Sequence, residues 1–527
     1  MEDEVISDDK EKGLNSQWSL GRVLRAGWWV PLVIPSLWLL FRMVPLWRDS
    51  DGFLQVSAKI GGLTLIHWPP LFCLGSRIPL AVGAWLEGMP FAFGKPSLSD
   101  SGVWLLLWTQ HFLLLLASGW LIVCITSRTG ARWLLSVFFA LIGMPFYVYA
   151  HSVGTESLSN TLQLALTANA ILILKGERGR LWAGYTLLLV LAILTRHVNA
   201  VFAALLPMTF IVSAVSEAFC KRKISLIRDL LPIALAVGCG LAAIGGAKLT
   251  VRALCAASKT PYYSRMGYTF QWRLGFINGV TRTKREEFFS KVTSALGSIE
   301  AKDALRAYEQ EINAGRDPDA EFLSRDVRVR VEKIFDKKSR RTEENKLLNQ
   351  IAAAVLLQSP PAFREVVVDD FVKMFGLSPV NIAADALGST EWIDERLTEE
   401  KFAPLTPLVT FRNGFRGKKA QVFRENPYLT LLRPVSLGVL TIVTLLAWFA
   451  TGIVCREKPW QFVLVPALLL TGGLLTFLNC ATTFFMARFG LPLYGTIIAA
   501  VMISIGFLCE TAANRWKLRK SASQEED

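Results

Sequence analysis

The chain has 527 residues, 57 Lys and Arg against 43 Asp and Glu, and a formal net charge of +14. It is 52% hydrophobic, with 17 Trp, 32 Phe and a mean hydropathy of +0.38, too apolar and too aromatic for an ordinary soluble protein. The basic excess is dispersed over short loops instead of gathered into one stripe, so nucleic acid is excluded as its explanation.

Residues 1–26 are polar and form an N-terminal tail expected to be cytoplasmic, because Arg22 and Arg25 precede the first apolar run. That run is long enough to span, so it is not expected to be a cleavable signal. Ten apolar runs predict ten transmembrane helices, near 27–47, 102–124, 132–150, 157–175, 181–195, 198–216, 229–248, 430–454, 460–480 and 488–509. Spans five and six are split only by Thr195-Arg196-His197, so each is expected to be short or tilted. Every even-numbered exit is basic: Arg128 and Arg132; Lys175, Arg178 and Arg180; Lys221, Arg222, Lys223 and Arg228; Arg456 and Lys458; Arg515, Lys517, Arg519 and Lys520. Lys and Arg mark cytoplasmic loops, so residues 510–527 form a second cytoplasmic tail. The first loop (48–101), the segment 151–158, the junction 195–198, the stretch 250–429 and the turn 484–488 face the periplasm, exterior or a lumen.

Composition turns charged and soluble over 250–429, which divides the chain into a module at 27–249, an outer insert at 250–429 and a last group of spans at 430–509. The insert is expected to be mostly helical. Phe288, Phe289, Val292, Ala295, Leu296 and Ile299 have helical spacing, Gly315 is a stop, and Ser359-Pro360-Pro361 breaks the chain before a helix over 362–375. Tyr262, Tyr263, Tyr268, Phe270, Trp272 and Phe276 predict a lid at the membrane interface or a stacking surface for a sugar. None of the eight Cys forms a close pair with metal-ligand spacing; Cys73 and Cys255 share the outer side and allow a disulfide.

Candidate chemistry sits on the outer face. Asp49 and Asp51 follow the first span, Glu156 opens the fourth, and membrane-edge carboxylates are costly unless solvated, paired or used. His67, Arg196, His197 and Arg488 lie on the same side and supply groups that neutralise a phosphate. His151 also maps there, whereas His111 lies mid-span, as a packing histidine does. A base, a second acid and several cations on one face suit glycosyl transfer from a lipid phosphate. A carboxylate takes the proton of the acceptor hydroxyl, and cations or a divalent metal ion stabilise the leaving phosphate. The sugar–phosphate bond is already activated, in keeping with a chain that lacks a P-loop, a dinucleotide fingerprint or a nucleophile elbow.

Five motifs in order then resemble the GT-C superfamily of polyprenyl-phosphate-sugar glycosyltransferases, such as protein mannosyltransferases and lipid A aminoarabinose transferases. Arg48-Asp49-Ser50-Asp51-Gly52-Phe53 resembles the family's first-loop acidic motif, and His67-Trp68-Pro69-Pro70-Leu71 its His/Lys-Pro-Pro-Leu motif. Thr155-Glu156-Ser157-Leu158 is similar to the second acidic position, Leu194-Thr195-Arg196-His197 to a Leu-Thr-Lys/Arg motif, and Ala487-Arg488-Phe489-Gly490-Leu491-Pro492 to an Arg-Tyr-x-x-Pro entry to a late span. The resemblance covers 20–250 and 430–510 and leaves the insert out. It implies a GT-C membrane fold in the bacterial inner or plasma membrane, with an outer-face active site. It implies an inverting transferase moving sugar from a polyprenyl-phosphate-linked donor to a hydroxyl of a glycolipid, polysaccharide or protein. Asp49 would be the base, with Asp51 as the alternative because many relatives have adjacent Asp-Glu. Glu156 would orient acceptor, base or metal; Arg196, His197, His67 and Arg488 would bind donor phosphate. Phe489 stands where relatives have Tyr. Two rival classes remain open: a lipid or solute transporter, which would place ionisable groups at mid-membrane, and a non-catalytic envelope assembly protein built around the insert.

Overall fold

Long apolar runs can satisfy their backbone groups in lipid only as helices or closed barrels, and here they are helices. A computed structural model describes residues 27–47, 56, 69–176, 179–219, 230–259, 266–318, 321–336, 339–409, 427–454, 460–483 and 485–525. Each of the ten expected spans falls on apolar helix. Span one is α1 (Val30–Arg42), with Pro31 in its first turn, where a missing N–H costs nothing. Two short apolar helices, α2 (Pro70–Gly75) and α3 (Arg77–Leu86), then occupy a stretch of what the sequence presents as the first outer loop. Span two is α4 (Asp100–Ile125), capped by Ser99, whose Oγ accepts from Gly102 N–H at 3.0 Å. Span three is bent by 66° between α5 (Thr129–Ile142) and α6 (Met144–Ala150). Span four is α7 (Thr155–Leu174) and span five α8 (Arg180–Thr195). Span six combines a 3-10 segment, His197–Ala204, with α9 (Leu205–Phe219), and span seven is α10 (Leu231–Ala257).

Six helical stretches are long and apolar enough to cross a membrane: Asp100–Ile125, Thr155–Leu174, His197–Glu217, Leu231–Ala257, Trp460–Thr482 and Ala487–Trp516. The bent α5–α6 pair adds a seventh, and Gly27–Arg42, Arg180–Thr195 and Leu437–Gly452 are shorter apolar helices. The chain is thus a polytopic α-helical, multi-pass membrane protein. Its ends are chemically distinct. At one end Lys175 Nζ donates to Cys124 O at 2.6 Å and lies over the Trp460 ring, and Arg128 donates to Asn514 Oδ1 at 2.5 Å. Basic residues of two of the exits expected to share one face, Arg128 and Lys175, therefore touch elements that meet at one end of the bundle. Cys73 and Cys255 are free buried thiols, so the disulfide that the sequence allows is absent.

The insert is helical: α11 (Met266–Leu274), α12 (Arg282–Ala295), α13 (Ile299–Asn313), α14 (Phe322–Ile334), α15 (Arg340–Gln358), α16 (Pro361–Gly376) and α17 (Pro379–Glu395). Gly315, at φ +74°, ends the α13 turn, and Ser359 caps α15 in the left-handed region before Pro360-Pro361. Ile299 does not continue the Phe288–Leu296 helix; it opens the next one, which Ser298 caps. Two of the six aromatics are corrected too, whereas Trp272 is exposed. Phe270 is buried, and Phe276 packs against Phe288 and Phe363, so both build the insert's own core instead of a lid or a stacking surface. Tyr262 and Tyr263 lie outside the described residues. α15 and α16 are apolar enough together to be mistaken for a broken span, but Arg340, Arg341, Glu343, Glu344 and Lys346 crowd the start of α15 and its apolar face belongs to the insert core. A buried ion pair, Arg273 Nη1 to Asp370 Oδ2 at 2.5 Å, ties α11 to α16 within the insert, and Phe371 edge-on to Phe477 joins the insert to the bundle.

The last group of helices is α18 (Pro427–Leu432), α19 (Leu437–Val454), α20 (Trp460–Thr482) and, after the 3-10 turn Ala487–Gly490, α21 (Leu491–Glu525).

Candidate functional site

At the opposite end from the basic exits, a parallel two-strand seam joins β1 (Leu46–Trp47) to β2 (Ser152–Val153), with Leu46 opposite Ser152 and Trp47 opposite Val153. β1 runs directly into Arg48-Asp49, and β2 runs through Gly154 into Thr155-Glu156, so two of the acidic positions leave the same seam. Asp49, Asp51 and His67 lie outside the described residues.

Glu156 stands in the first turn of α7, where the N-terminal end of the helix dipole favours a carboxylate. It is buried, 1% exposed, and Arg196 Nη1 lies 3.4 Å from its Oε1. Thr155 Oγ1 donates to its other oxygen at 3.4 Å. A buried carboxylate is tolerable when paired and hydrogen-bonded, and Glu156 has both a helix N-terminal position and an Arg partner.

Arg196 is carried by the break between α8 and the 3-10 segment. Its backbone is extended, its N–H still donates to Ala192 O at 3.0 Å, and its carbonyl accepts from Asn199 N–H at 3.0 Å. Asn199 locks this corner. Its Nδ2 donates to Ala192 O at 2.9 Å and to Ser159 Oγ at 2.9 Å, one turn along from Glu156 on α7. Gln163 Nε2 approaches Asn199 Oδ1 at 3.5 Å. Asn199 is therefore what keeps Arg196 beside Glu156, and it was not among the residues singled out from sequence. A signal was there: α7 carries Glu156, Asn160, Gln163 and Thr167 at helical spacing, and all four are buried. Polar side chains inside a span mark function by default. His197 opens the 3-10 segment and is exposed.

Arg488 is buried in the turn before α21, its guanidinium over the Phe489 ring at 5.5 Å. α17 of the insert packs on this turn, on α6 and on β1. Tyr149 on α6 donates to Ile382 O at 3.1 Å and lies 3.4 Å from Asp385 Oδ2. An acidic residue of the insert thus reaches the same end of the bundle, a position that periodicity alone does not reveal.

His151 is not an outer-surface group. It is fully buried and bonded to His111 and to the backbone of Met43. Among the described residues no group of three His, Cys, Asp or Glu side chains could hold a metal ion.

No protein-family model matches the chain, and no curated protein matches it in sequence. Among solved structures it is similar to the archaeal oligosaccharyltransferase AglB from Archaeoglobus fulgidus, in complex with an inhibitory peptide and a dolichol-phosphate. That match has a TM-score of 0.36 and 10% identity, and covers 96% of this chain and 52% of that one. The apo form of the Archaeoglobus fulgidus oligosaccharyltransferase gives a TM-score of 0.37 and 9% identity, with the same 96% and 52%. The chain is similar to these archaeal oligosaccharyltransferases and spans about half the length of each.

Proposed function

We propose that the protein is an inverting membrane glycosyltransferase that moves a sugar from a polyprenyl-phosphate donor to a hydroxyl acceptor at the outer face. The observation that carries this reading is the Glu156–Arg196 pair beside the seam that leads into the acidic motif. Two peptide units separate Trp47 from Asp49, a reach of at most about 7 Å, and three separate Val153 from Glu156. Chain connectivity alone therefore supports a base near a second acid and a fixed cation.

In this mechanism Asp49, with Asp51 as the alternative, takes the acceptor proton as the hydroxyl oxygen attacks the anomeric carbon. The carbon–phosphate-oxygen bond breaks and its electron pair leaves on the polyprenyl phosphate. Arg196, His197, His67 and Arg488 stabilise that negative charge. Glu156 holds Arg196 in place and orients the acceptor. The lipid tail lies along the bundle, and the acceptor enters beneath α17 of the insert.

The test is release of undecaprenyl phosphate from a panel of undecaprenyl-phosphate pentoses and hexoses, with envelope glycolipids and hydroxyl-bearing peptides as acceptors. Asp49→Asn lowers turnover by about 10²–10⁴-fold, as removal of a general base does, with folding intact. Full activity in both Asp49→Asn and Asp51→Asn overturns the chemistry. Net movement of lipid or solute across proteoliposomes with no acceptor present would favour the transporter class instead.

A further inference from the structure

We infer that His111 and His151 form a neutral, tautomer-locked bridge that positions the strand entering the acidic motif, making both of them positioning residues for the transfer. The inference rests on the function proposed above only for its kinetic consequence; the bridge itself rests on geometry. Four atoms lie in sequence. Ser36 Oγ on α1 is 3.0 Å from His111 Nδ1 on α4; His111 Nε2 is 3.4 Å from His151 Nδ1; and His151 Nε2 is 3.2 Å from the carbonyl oxygen of Met43.

A carbonyl only accepts, so His151 Nε2 carries a hydrogen. A neutral imidazole carries one hydrogen, which leaves His151 Nδ1 as an acceptor. His111 must then donate from Nε2, and its own Nδ1 must accept from the Ser36 hydroxyl. Each link has one donor and one acceptor, and every proton is assigned. The competing assignment charges His151, reverses the two remaining bonds and puts a cation at a site with no exposed surface. Such burial disfavours a charge. Among the described residues no carboxylate bonds to either ring; the polar partners are Ser36 Oγ and the backbone of Met43 and Val44, and the Trp104 ring lies against His151.

The bridge ends on the chain that forms β1. Met43 closes α1, and three residues later Leu46 N–H donates to the carbonyl of His151 itself at 3.1 Å. His151 therefore grips the β1 side twice, once with its ring and once with its backbone. Gln110, next to His111 on α4, grips the other side: its Nε2 donates to Ala150 O and to Ser152 O, both at 3.0 Å. A two-residue parallel pair is too short to hold itself together. These two adjacent polar side chains in the middle of α4 supply what the strands lack. What they hold is the separation between the chain leaving for Asp49 and the chain leaving for Glu156.

The experiment reads protonation and turnover separately. The chain has four histidines, so ¹⁵N-histidine NMR of the full protein in nanodiscs is tractable, with His111→Gln and His151→Gln giving the assignments. The expected result at neutral pH is that both rings are neutral, protonated at Nε2 and bare at Nδ1. A charged His151, or a hydrogen on either Nδ1, overturns the bridge. In the undecaprenyl phosphate release assay, His151→Phe keeps the volume but breaks both bonds, and kcat falls by about 10–100-fold, the scale of a 1 Å misplacement. Donor KM stays within about threefold, because no ring touches the donor. His151→Gln, which can donate to Met43 O and accept from His111, restores most of kcat. Wild-type kcat in His151→Phe, or a glutamine variant as slow as the phenylalanine one, refutes the positioning role. If His151→Phe fails to fold, the tautomers of the wild-type protein still decide. A wild-type protein that has the expected tautomers yet transfers nothing leaves the bridge standing and rejects the transferase reading.

Discussion

The Glu156–Arg196 pair is the sharpest place to test the site physically. At 3.4 Å and an effective dielectric of about 20, the gross attraction is about 5 kcal/mol. Taking two ions out of water cancels much of that, but removing one partner leaves the other buried and uncompensated, at a cost of about 3–5 kcal/mol. The Arg196 side chain retains 14% exposure against 1% for Glu156, so the two single changes should differ. Arg196→Met strands a fully buried carboxylate and falls near the upper end of that range. Glu156→Gln leaves a cation that can still reach water and falls nearer about 3 kcal/mol. The double variant buries no unpaired charge, so it should be destabilised by clearly less than the sum of the two single changes. Unfolding in mixed micelles of rising SDS fraction, followed by tryptophan fluorescence, gives all four free energies. Additive single changes, with a coupling below about 0.5 kcal/mol, would show that the two groups do not depend on each other and would refute the reasoning. Transfer activity should be lost in both single variants and should not return in the double one, because stability and charge placement are restored by different things.

Two further outcomes follow from particular contacts. A Cβ added at Gly83 on α3 would collide with the Gly102 backbone on α4, so Gly83→Ala must push the two helices away from each other. It should cost at least about 3 kcal/mol in the same unfolding assay, while Gly75→Ala, with nothing within 4 Å, changes little. At Gly472 on α20 the added Cβ would collide with Thr496 Oγ1 on α21, so Gly472→Ala should destabilise, and Thr496→Ala in the same chain should recover some of the loss.

Membrane insertion and helix were legible in the chain itself. Apolar runs of sufficient length admit one conformation in lipid, and Lys and Arg in short loops mark one face whatever the helices do laterally. For the same reason Glu156 and Arg196 stood out as ions in need of a partner: each interrupts apolar sequence at a span end, where an ion must be paired or solvated. The sequence could not show that these two pair with each other, because residues 40 apart are neighbours only once α7 and α8 pack. It could not show Asn199 as the lock on Arg196, nor that α17 of the insert lies on β1 and on the turn bearing Arg488. His111 and His151 carried the least signal of all. One lies in the middle of a span and the other at a span end, and nothing in periodicity distinguishes a packing histidine from one whose tautomer is set by a neighbour. Local sequence decides what must be buried in lipid and which ends face water. Hydrogen-bond partners, by contrast, belong to directions and distances between helices, and those exist only in the tertiary structure.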